Sequence, residues 1–527
     1  MSAVGTFEIV LILLGVVIAL HALALKLRLP PATALLVGGG LLAFVPGLPQ
    51  IELDPELALV LFLPPLLLDG AYTTALGRFR RHLPGILSLA VGAVVFTTLV
   101  VGVVTHWLVP SLPWAACFAL GAIVSPPDAV SARAVLKGVS LPRRVTALLE
   151  GESLLNDATG LVLFRFAVAA TLSGLFDTSD ALERFAILSA GGVVVGLAVG
   201  AAWVFVVKHM RNPMLIIMTT AMLSWTAYVV GEMLHVSGVI ATVVAGLVLG
   251  WFQHVVFPAT VRLRGSAFWD TMVFMLEAMV FILIGFSLRG VLERVGSIEA
   301  VTTTFAVPVI GVVLAVVLAR FVWIFAGDAL VSSLRVLGLK RSRPLGVRQA
   351  TVLGWAGMRG VVTLAVALTL PPQMPGRDFM LVTAFAVIFA TVVIQGTSLG
   401  RVINWVKPVD EEPPAPLDLP SGEAAVARAR HAEIERNAYD SDGTLQHPLS
   451  LEQSARRLAA TERYAQDSEG AMEGFREHFD LQLRGIAAGR AELIRLHRAG
   501  EIEDETLHNL ERDLDVEEFG LLLQMED

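Results

Sequence analysis

The 527 residues are 55% hydrophobic and only 16% charged, whereas about 25% of the residues in a typical soluble domain are charged. The mean hydropathy is +0.70, which excludes a water-soluble fold for most of the chain. Between Phe7 and Ile403, many apolar stretches reach the roughly 20 residues that a helix needs to cross a bilayer. The single cysteine, Cys117, excludes an intrachain disulfide.

Charge divides the chain into two parts. Residues 1–407 carry a net charge of +8, and residues 408–527 carry −16. A basic membrane body followed by an acidic tail argues against nucleic-acid binding and for a soluble appendage. We predict a transmembrane domain over 1–407, a proline-rich linker over 408–420 and an acidic helical domain over 421–527. The N-terminus lacks the basic region and cleavage pattern of a signal peptide, so we expect a retained first helix.

Hydropathy predicts an all-α polytopic membrane protein with thirteen spans. The connectors after odd-numbered spans, counted with the adjoining span edges, carry seventeen Lys and Arg residues, against four after even-numbered spans. The positive-inside rule then places the N-terminus outside and the tail in the cytoplasm of an inner-membrane (plasma-membrane) protein. The spans are predicted near 7–25, 31–46, 56–76, 85–109, 114–136, 143–173, 180–207, 213–233, 237–254, 267–289, 300–327, 345–370 and 379–404.

Thirteen spans permit two inverted six-helix repeats around a linking helix, a plan common among secondary transporters. Spans five and twelve occupy matching positions in the two repeats, and each contains a sequence that interrupts a helix. Two adjacent prolines remove two amide donors, and freed backbone is tolerated in a membrane only against protein or a wet cavity. We therefore predict that these two helices are discontinuous and cross; a packing kink in each is the alternative. The residues predicted to break or cap them are Pro126, Pro127, Asp128, Gly357 and Gly360.

Span six contains the densest group of polar residues in the apolar region. Ser153, Asn156 and Asp157 stand at i, i+3 and i+4, so they share one face of a helix. An ionisable group inside a span is costly and is by default a functional hypothesis. Oxygen ligands suit a hard cation, and a proton would compete with it for the Asp157 carboxylate. A polar clamp between helices is the alternative.

The remaining membrane charges are assigned by their surroundings. Glu152 lies on a neighbouring face of span six, and Arg359 in span twelve needs an anion, so we predict a structural ion pair between them. Asp69, which follows a Pro-Pro pair in span three, is a second candidate ligand. Asp128 is assigned either to capping the half-helix after its break or to contact with the ion. Structural pairs are expected among Glu232, Glu277, Arg133, Arg165 and Arg320.

Four segments together resemble the NhaP/NHE-type sodium/proton antiporters in order and spacing. They are Glu-Ser-Leu-Leu-Asn-Asp at 152–157, Asp69 after its Pro-Pro pair, Ser-Gly-Val-Ile-Ala at 237–241 and Gly-Met-Arg-Gly at 357–360. The resemblance covers about residues 7–405 and leaves the tail uncovered. It implies a homodimer with separate dimerisation and core domains and elevator-like alternating access.

The resemblance also implies a role for each matching residue. Asp157 would bind the ion and the proton, with Ser153 and Asp69 helping to coordinate Na⁺. Asn156 would stabilise the crossed helices, and Glu152 would pair with Arg359. An Asn-Asp pair, where other antiporters carry Asp-Asp, is associated in the family with electroneutral one-for-one exchange.

One segment departs from the family pattern. The fifth-span break usually reads Thr-Asp-Pro, whereas this chain has Ser-Pro-Pro-Asp at 125–128. Ser125 can replace the threonine as an oxygen donor. The aspartate has moved two positions, about 200° around a regular helix, so its usual role does not transfer directly.

The predicted function is exchange of Na⁺, or of Li⁺ or K⁺, for H⁺, with a role in pH and sodium homeostasis. The expected partners are the cation, protons, the bilayer and a second copy of the chain; no cofactor and no enzymatic activity are expected. Potassium/proton exchange is a rival that the residues do not separate. A cation channel is disfavoured because no filter-like loop is repeated, and an intramembrane hydrolase because its Ser and zinc motifs are missing from the sequence.

Overall fold

The structure, a computed structural model, describes residues 3–27, 29–45, 55–128, 141–174, 178–295, 305–337, 343–413, 417–466 and 468–526. Over these ranges the regular structure is helical, apart from one isolated bridge between Tyr439 and Leu445. The chain forms two compact units, Met1–Glu411 and Glu412–Asp527. Their boundary lies inside the predicted linker.

The first unit is built from apolar helices. Eight helices in the described ranges are long and apolar enough to cross a membrane, and four shorter apolar helices accompany them. The chain is therefore a multi-pass membrane protein, while the count of thirteen spans stays a prediction. The helices are α1 (Ala3–Leu27), α2 (Pro31–Leu42), α3 (Pro55–Thr73), α4 (Leu76–Leu108), α5 (Trp114–Val124), α6 (Arg143–Ser173), α7 (Thr178–Lys208), α8 (Pro213–Met233), α9 (Gly238–Val256), α10 (Ala259–Val295), α11 (Ala306–Val336), α12 (Gly346–Trp355), α13 (Val361–Leu368) and α14 (Arg377–Val406).

Helix α4 begins well before the predicted fourth span. The apolar stretch starts near residue 85, but the helix starts at Leu76, and its first turns are amphipathic and carry three arginines. Hydropathy recognises only the apolar part of such a helix. A short π-helical segment, Ser88–Ala93, then interrupts its regular winding.

Helix contacts divide the membrane unit into two bundles. The first bundle contains α1–α3 and α7–α10, and the second contains α4–α6 and α11–α14. The bundles meet mainly where α13 contacts α3, where α10 contacts α14 and where α6 contacts α9. All helices predicted to be broken, and α6 with its polar face, therefore lie in the second bundle.

The second unit contains four helices: α15 (Leu419–Asn437), α16 (Pro448–Gln466), α17 (Ser468–Arg498) and α18 (Asp504–Glu526). Helix α15 starts two residues before the predicted start of the helical domain, because the Asp418 side chain accepts a hydrogen bond from Ser421 N at 3.0 Å and caps the helix. The predicted gap between α15 and α16 is a tight turn around Asp440. Hydrogen bonds from the Gln446 side chain and the Thr444 amide hold the pKa of Asp440 below its usual range.

Candidate cation-binding site

Helix α6 carries the polar residues of the predicted site through the second bundle. Glu152, Asn156 and Asp157 are all buried, with Asp157 8% exposed, and Ser153 is half-buried. Gly160 lies one turn beyond Asp157, and its missing side chain lets the Pro126 ring pack directly on α6. The break predicted for span five, at residues 125–128, therefore lies beside the turn of α6 that carries Asp157.

The fifth-helix break is present in the structure. Helix α5 ends at Val124, and residues 125–128 are not helical. Asn156 Nδ2 donates a hydrogen bond to the Pro127 carbonyl at 2.5 Å, which fixes the break to α6. In the described part of the chain Asn156 Oδ1, although buried, has no hydrogen-bond donor. A buried carbonyl oxygen that still lacks a partner beside Asp157 suits a cation.

The break predicted for span twelve is also present, between Trp355 at the end of α12 and Val361 at the start of α13. It is bonded to the first break: Asp128 N donates to the Met358 carbonyl at 2.7 Å. The backbone amide of Arg359 donates to Thr391 Oγ1 on α14 at 3.0 Å. The two interruptions predicted from proline and glycine thus meet in one place.

Arg359 caps the end of α5. Its guanidinium is buried and donates from Nε to the Val124 carbonyl at 2.9 Å, from Nη2 to the Ser125 carbonyl at 3.2 Å, and from Nη1 to the Gly357 carbonyl. The last carbonyls of a helix lack amide partners, and Pro126 and Pro127 have no N–H to offer. The guanidinium therefore satisfies the carbonyls exposed by the break and opposes the negative end of the α5 dipole.

The predicted ion pair between Glu152 and Arg359 is wrong. Glu152 is bound by Arg320 of α11, with Nη1 to Oε1 at 2.5 Å and Nη2 to Oε2 at 2.8 Å. Arg320 Nε donates to the Leu353 carbonyl at 3.2 Å, and both charged side chains are 2–3% exposed. Arg359 does not pair with Glu152 because its donors are directed to backbone carbonyls.

The expected structural pairs among the other membrane charges are found in part. Arg320 is in a structural pair, although with Glu152. Arg165 lies 3.5 Å from Glu232. Arg133 lies outside the described residues.

Asp128 lies at the start of α13. Gly360 immediately precedes that helix, and a Cβ placed on Gly360 would overlap the Asp128 carboxylate. A carboxylate at the positive end of a helix is stabilised by the helix dipole. The half-helix that Asp128 was predicted to cap, after its own break, lies outside the described residues. Asn156, the residue before Asp157, is bonded to Pro127, the residue before Asp128, so the first break brings a second carboxylate close to α6.

Replacing Gly360 by Ala is expected to reduce cation-coupled proton transport at least tenfold. The new methyl group would overlap Cβ, Cγ and Oδ2 of Asp128, so the whole side chain would have to leave the start of α13. Transport by membrane vesicles after addition of cation measures this. Gly400→Ala on α14, which meets nothing within 4 Å, is the control. Equal transport by both variants would show that the position of Asp128 does not matter.

The other predicted ligands have less defined places. Ser125 accepts a hydrogen bond from Thr98 Oγ1 at 3.1 Å and donates to the Ala122 carbonyl at 3.4 Å, so its hydroxyl serves the packing of α4 on α5. Asp69 is half-buried on α3, which contacts α6. The roles of Ser125, Ser153 and Asp69 as ion ligands stay predictions.

The charges at the crossing can be counted. Among the described residues, the crossing holds three carboxylates, Glu152, Asp128 and Asp157, and two guanidiniums, Arg320 and Arg359. In the described ranges no three His, Cys, Asp or Glu residues are arranged to hold a metal ion. The described part of the site is thus rich in oxygen atoms.

Discontinuous helices that meet at a buried carboxylate inside a multi-pass membrane protein define the chain as a secondary transporter. Residues 9–405 match the family described as sodium/hydrogen exchanger, transmembrane. The chain belongs to this family.

Individual relatives agree with the family match. An uncharacterized Na(+)/H(+) exchanger of Escherichia coli, YjcE, is 30% identical over 92% of each chain, so the similarity extends into the acidic tail. A sodium, potassium, lithium and rubidium/H(+) antiporter of Bacillus subtilis is 32% identical over 74% of this chain and 60% of its own length. The solved structure of the sodium proton antiporter MjNhaP1 from Methanocaldococcus jannaschii has the same fold, with a TM-score of 0.61 and 21% identity, covering 77% of this chain and 99% of the other.

Proposed function

We propose that this protein exchanges Na⁺ for H⁺ across the inner membrane, with Asp157 as the side chain that binds either ion. The observation that carries the proposal is the burial of Asp157 at the meeting point of two broken helices. We further propose that the membrane domain has thirteen spans in two inverted repeats and that the protein is a homodimer. The N-terminus is proposed to lie outside and the tail in the cytoplasm. No cofactor is needed besides the transported ions.

The chemistry of a single carboxylate supports electroneutral exchange of one cation for one proton. Glu152 and Arg320 form a neutral pair, which leaves Asp157 as the proposed exchanging group. Either one Na⁺ or one H⁺ neutralises this carboxylate, and a buried net charge is costly in a membrane. A loaded Asp157 can therefore cross the barrier, whereas an empty one is disfavoured.

Competition for the same oxygens couples the two ions. The main cation ligands proposed are the Asp157 carboxylate and the unpartnered Asn156 carbonyl oxygen, and Ser153 and Asp69 are further proposed ligands. A proton on Asp157 removes the charge that holds the cation. Alternating exposure follows if the second bundle moves against the first, as in an elevator-type transporter.

Potassium/proton exchange is the second candidate. The Bacillus subtilis relative is named for sodium, potassium, lithium and rubidium, and the oxygen ligands proposed here do not by themselves set a cation size. Selectivity must therefore be measured for each ion.

Transport by purified protein in proteoliposomes tests the proposal. With an imposed pH gradient, addition of Na⁺ is expected to move protons, and Li⁺ and K⁺ added separately rank the selectivity. One-for-one exchange predicts the same rate when a membrane potential of either sign is imposed. A cation current without proton movement would identify a channel, and a potential-dependent rate would exclude the one-for-one ratio.

A further inference from the structure

The segment that joins the last membrane helix to the tail is bonded to the helices of the ion site. We call residues 407–411 the root segment. It follows the end of α14 at Val406, and Lys407 adopts a left-handed conformation with φ 48°, which turns the chain. The Val409 carbonyl accepts a hydrogen bond from Gln349 Nε2 at 2.7 Å, and Asp410 Oδ2 lies 2.6 Å from Arg143 Nε.

Asp410 supplies the cap that α6 lacks. The residue before α6 is Pro142, whose side chain makes no capping bond. Asp410 Oδ2 also lies 3.4 Å from the backbone nitrogen of Arg143, the first residue of the helix. A carboxylate at a helix N-terminus is stabilised by the dipole and satisfies amides that the helix leaves free. The cap of the helix that carries Asp157 is thus supplied by a residue 267 positions away in the chain.

The root segment also holds the start of α12. Gln349 is 5% exposed on the first turns of that helix, and its side-chain amide is the donor to Val409. The Glu411 carbonyl accepts a hydrogen bond from Arg343 Nη1 at 3.3 Å, just before α12. Arg144, beside Arg143, donates to the Pro344 carbonyl at 3.1 Å, so the starts of α6 and α12 are also joined directly.

These contacts lie within one bundle. Helices α6, α12 and α14 all belong to the second bundle, and α6 and α12 carry the two sides of the ion site. An exposed ion pair alone contributes little. Here one carboxylate and two backbone carbonyls of the root segment together accept hydrogen bonds from two arginines and one buried amide.

We propose that the root segment is a permanent attachment that fixes the origin of the acidic tail to the ion-site bundle and keeps α6 and α12 aligned while ions are exchanged. The attachment itself does not depend on the proposed exchange; the bundle movement that it accompanies rests on the proposed function.

A disulfide tests whether the attachment is permanent. The native cysteine of the full chain is first removed by Cys117→Ala. The pair Arg143→Cys and Asp410→Cys is then introduced and oxidised, and the crosslink is verified by mass after proteolysis. We expect the oxidised protein to exchange ions within about twofold of the reduced protein. A loss above tenfold that reductant reverses would show that the segment must detach.

A second disulfide separates this proposal from the proposed transport mechanism. Phe62 on α3 and Leu364 on α13 line one small cavity between the two bundles. Oxidation of Phe62→Cys with Leu364→Cys is expected to stop exchange reversibly. If this crosslinked protein also exchanges ions freely, the bundle movement is wrong, while a permanent root attachment stands.

Single substitutions test the alignment of the two helices. Asp410→Ala is expected to lower the maximal exchange rate severalfold at an unchanged half-saturating Na⁺ concentration, and Asp410→Asn, which can still cap α6, is expected to keep most of it. A change only in Na⁺ affinity, or an unchanged rate in Asp410→Ala, would contradict the proposal.

Discussion

Substitution of Asp157 by Asn is expected to abolish cation-induced proton movement in proteoliposomes. An amide has nearly the volume of the carboxylate but cannot take up a proton or offer a negative charge to a cation. In the proposed site it removes the negative charge that either ion neutralises. The expected rate is that of protein-free liposomes with Na⁺, Li⁺ and K⁺ alike.

The same substitution at an exposed acidic residue is the matched control. Asp270 is exposed on α10 in the first bundle, so Asp270→Asn is expected to leave exchange unchanged. Both variants should be purified in equal amounts with the same melting temperature. Coupled exchange by a well-folded Asp157→Asn protein would refute the site.

The features found from sequence alone are those with a local signal. Pro126 and Pro127 interrupt an apolar stretch, and Gly357 and Gly360 do the same in the matching helix, so the two breaks could be predicted without tertiary information. Asp157 was selected because an ionisable residue is rare in a span. The structure shows it buried, and its role in ion binding stays a prediction. Asn156, which was expected at the crossed helices, contacts the Pro127 carbonyl there.

The features missed from sequence depend on packing between distant segments. Glu152 and Arg320 are 168 positions apart, and two buried arginines were available to one glutamate. Choosing between them requires the position of α11 against α6. Arg359 could have been assigned differently from its context alone: two prolines leave carbonyls that need donors, and an arginine supplies several.

The position of Asp128 likewise depends on packing between distant segments and could not be predicted from sequence. Its carboxylate lies at the start of α13, a half-helix in the other half of the chain. A motif comparison gives the displacement of this aspartate by two positions, but it does not show which helix end then receives the charge. In the structure the displaced carboxylate still reaches the crossing, where it lies against Gly360.

The pair between Glu152 and Arg320 predicts a large effect on folding. Removing one partner leaves the other charge buried and unpaired, at a cost of about 3–5 kcal/mol, whereas replacing both with apolar residues is often neutral. Glu152→Leu and Arg320→Leu are each expected to lower the yield and the melting temperature in detergent strongly. The double substitution Glu152→Leu with Arg320→Leu is expected to recover most of the loss.

The choice of partner makes this a test between two arginines. Glu152→Leu combined with Arg359→Leu should show no recovery, because Arg359 binds backbone carbonyls at the α5 break and its removal exposes them. Arg428→Ala, which breaks an exposed pair with Glu462 in the tail, is the control for a general effect of lost charge; its effect should be near zero. If stability recovers in the double variant with Arg359→Leu and not in the one with Arg320→Leu, Glu152 pairs with Arg359 as predicted from sequence. Arg359 would then not be the residue that caps the α5 break.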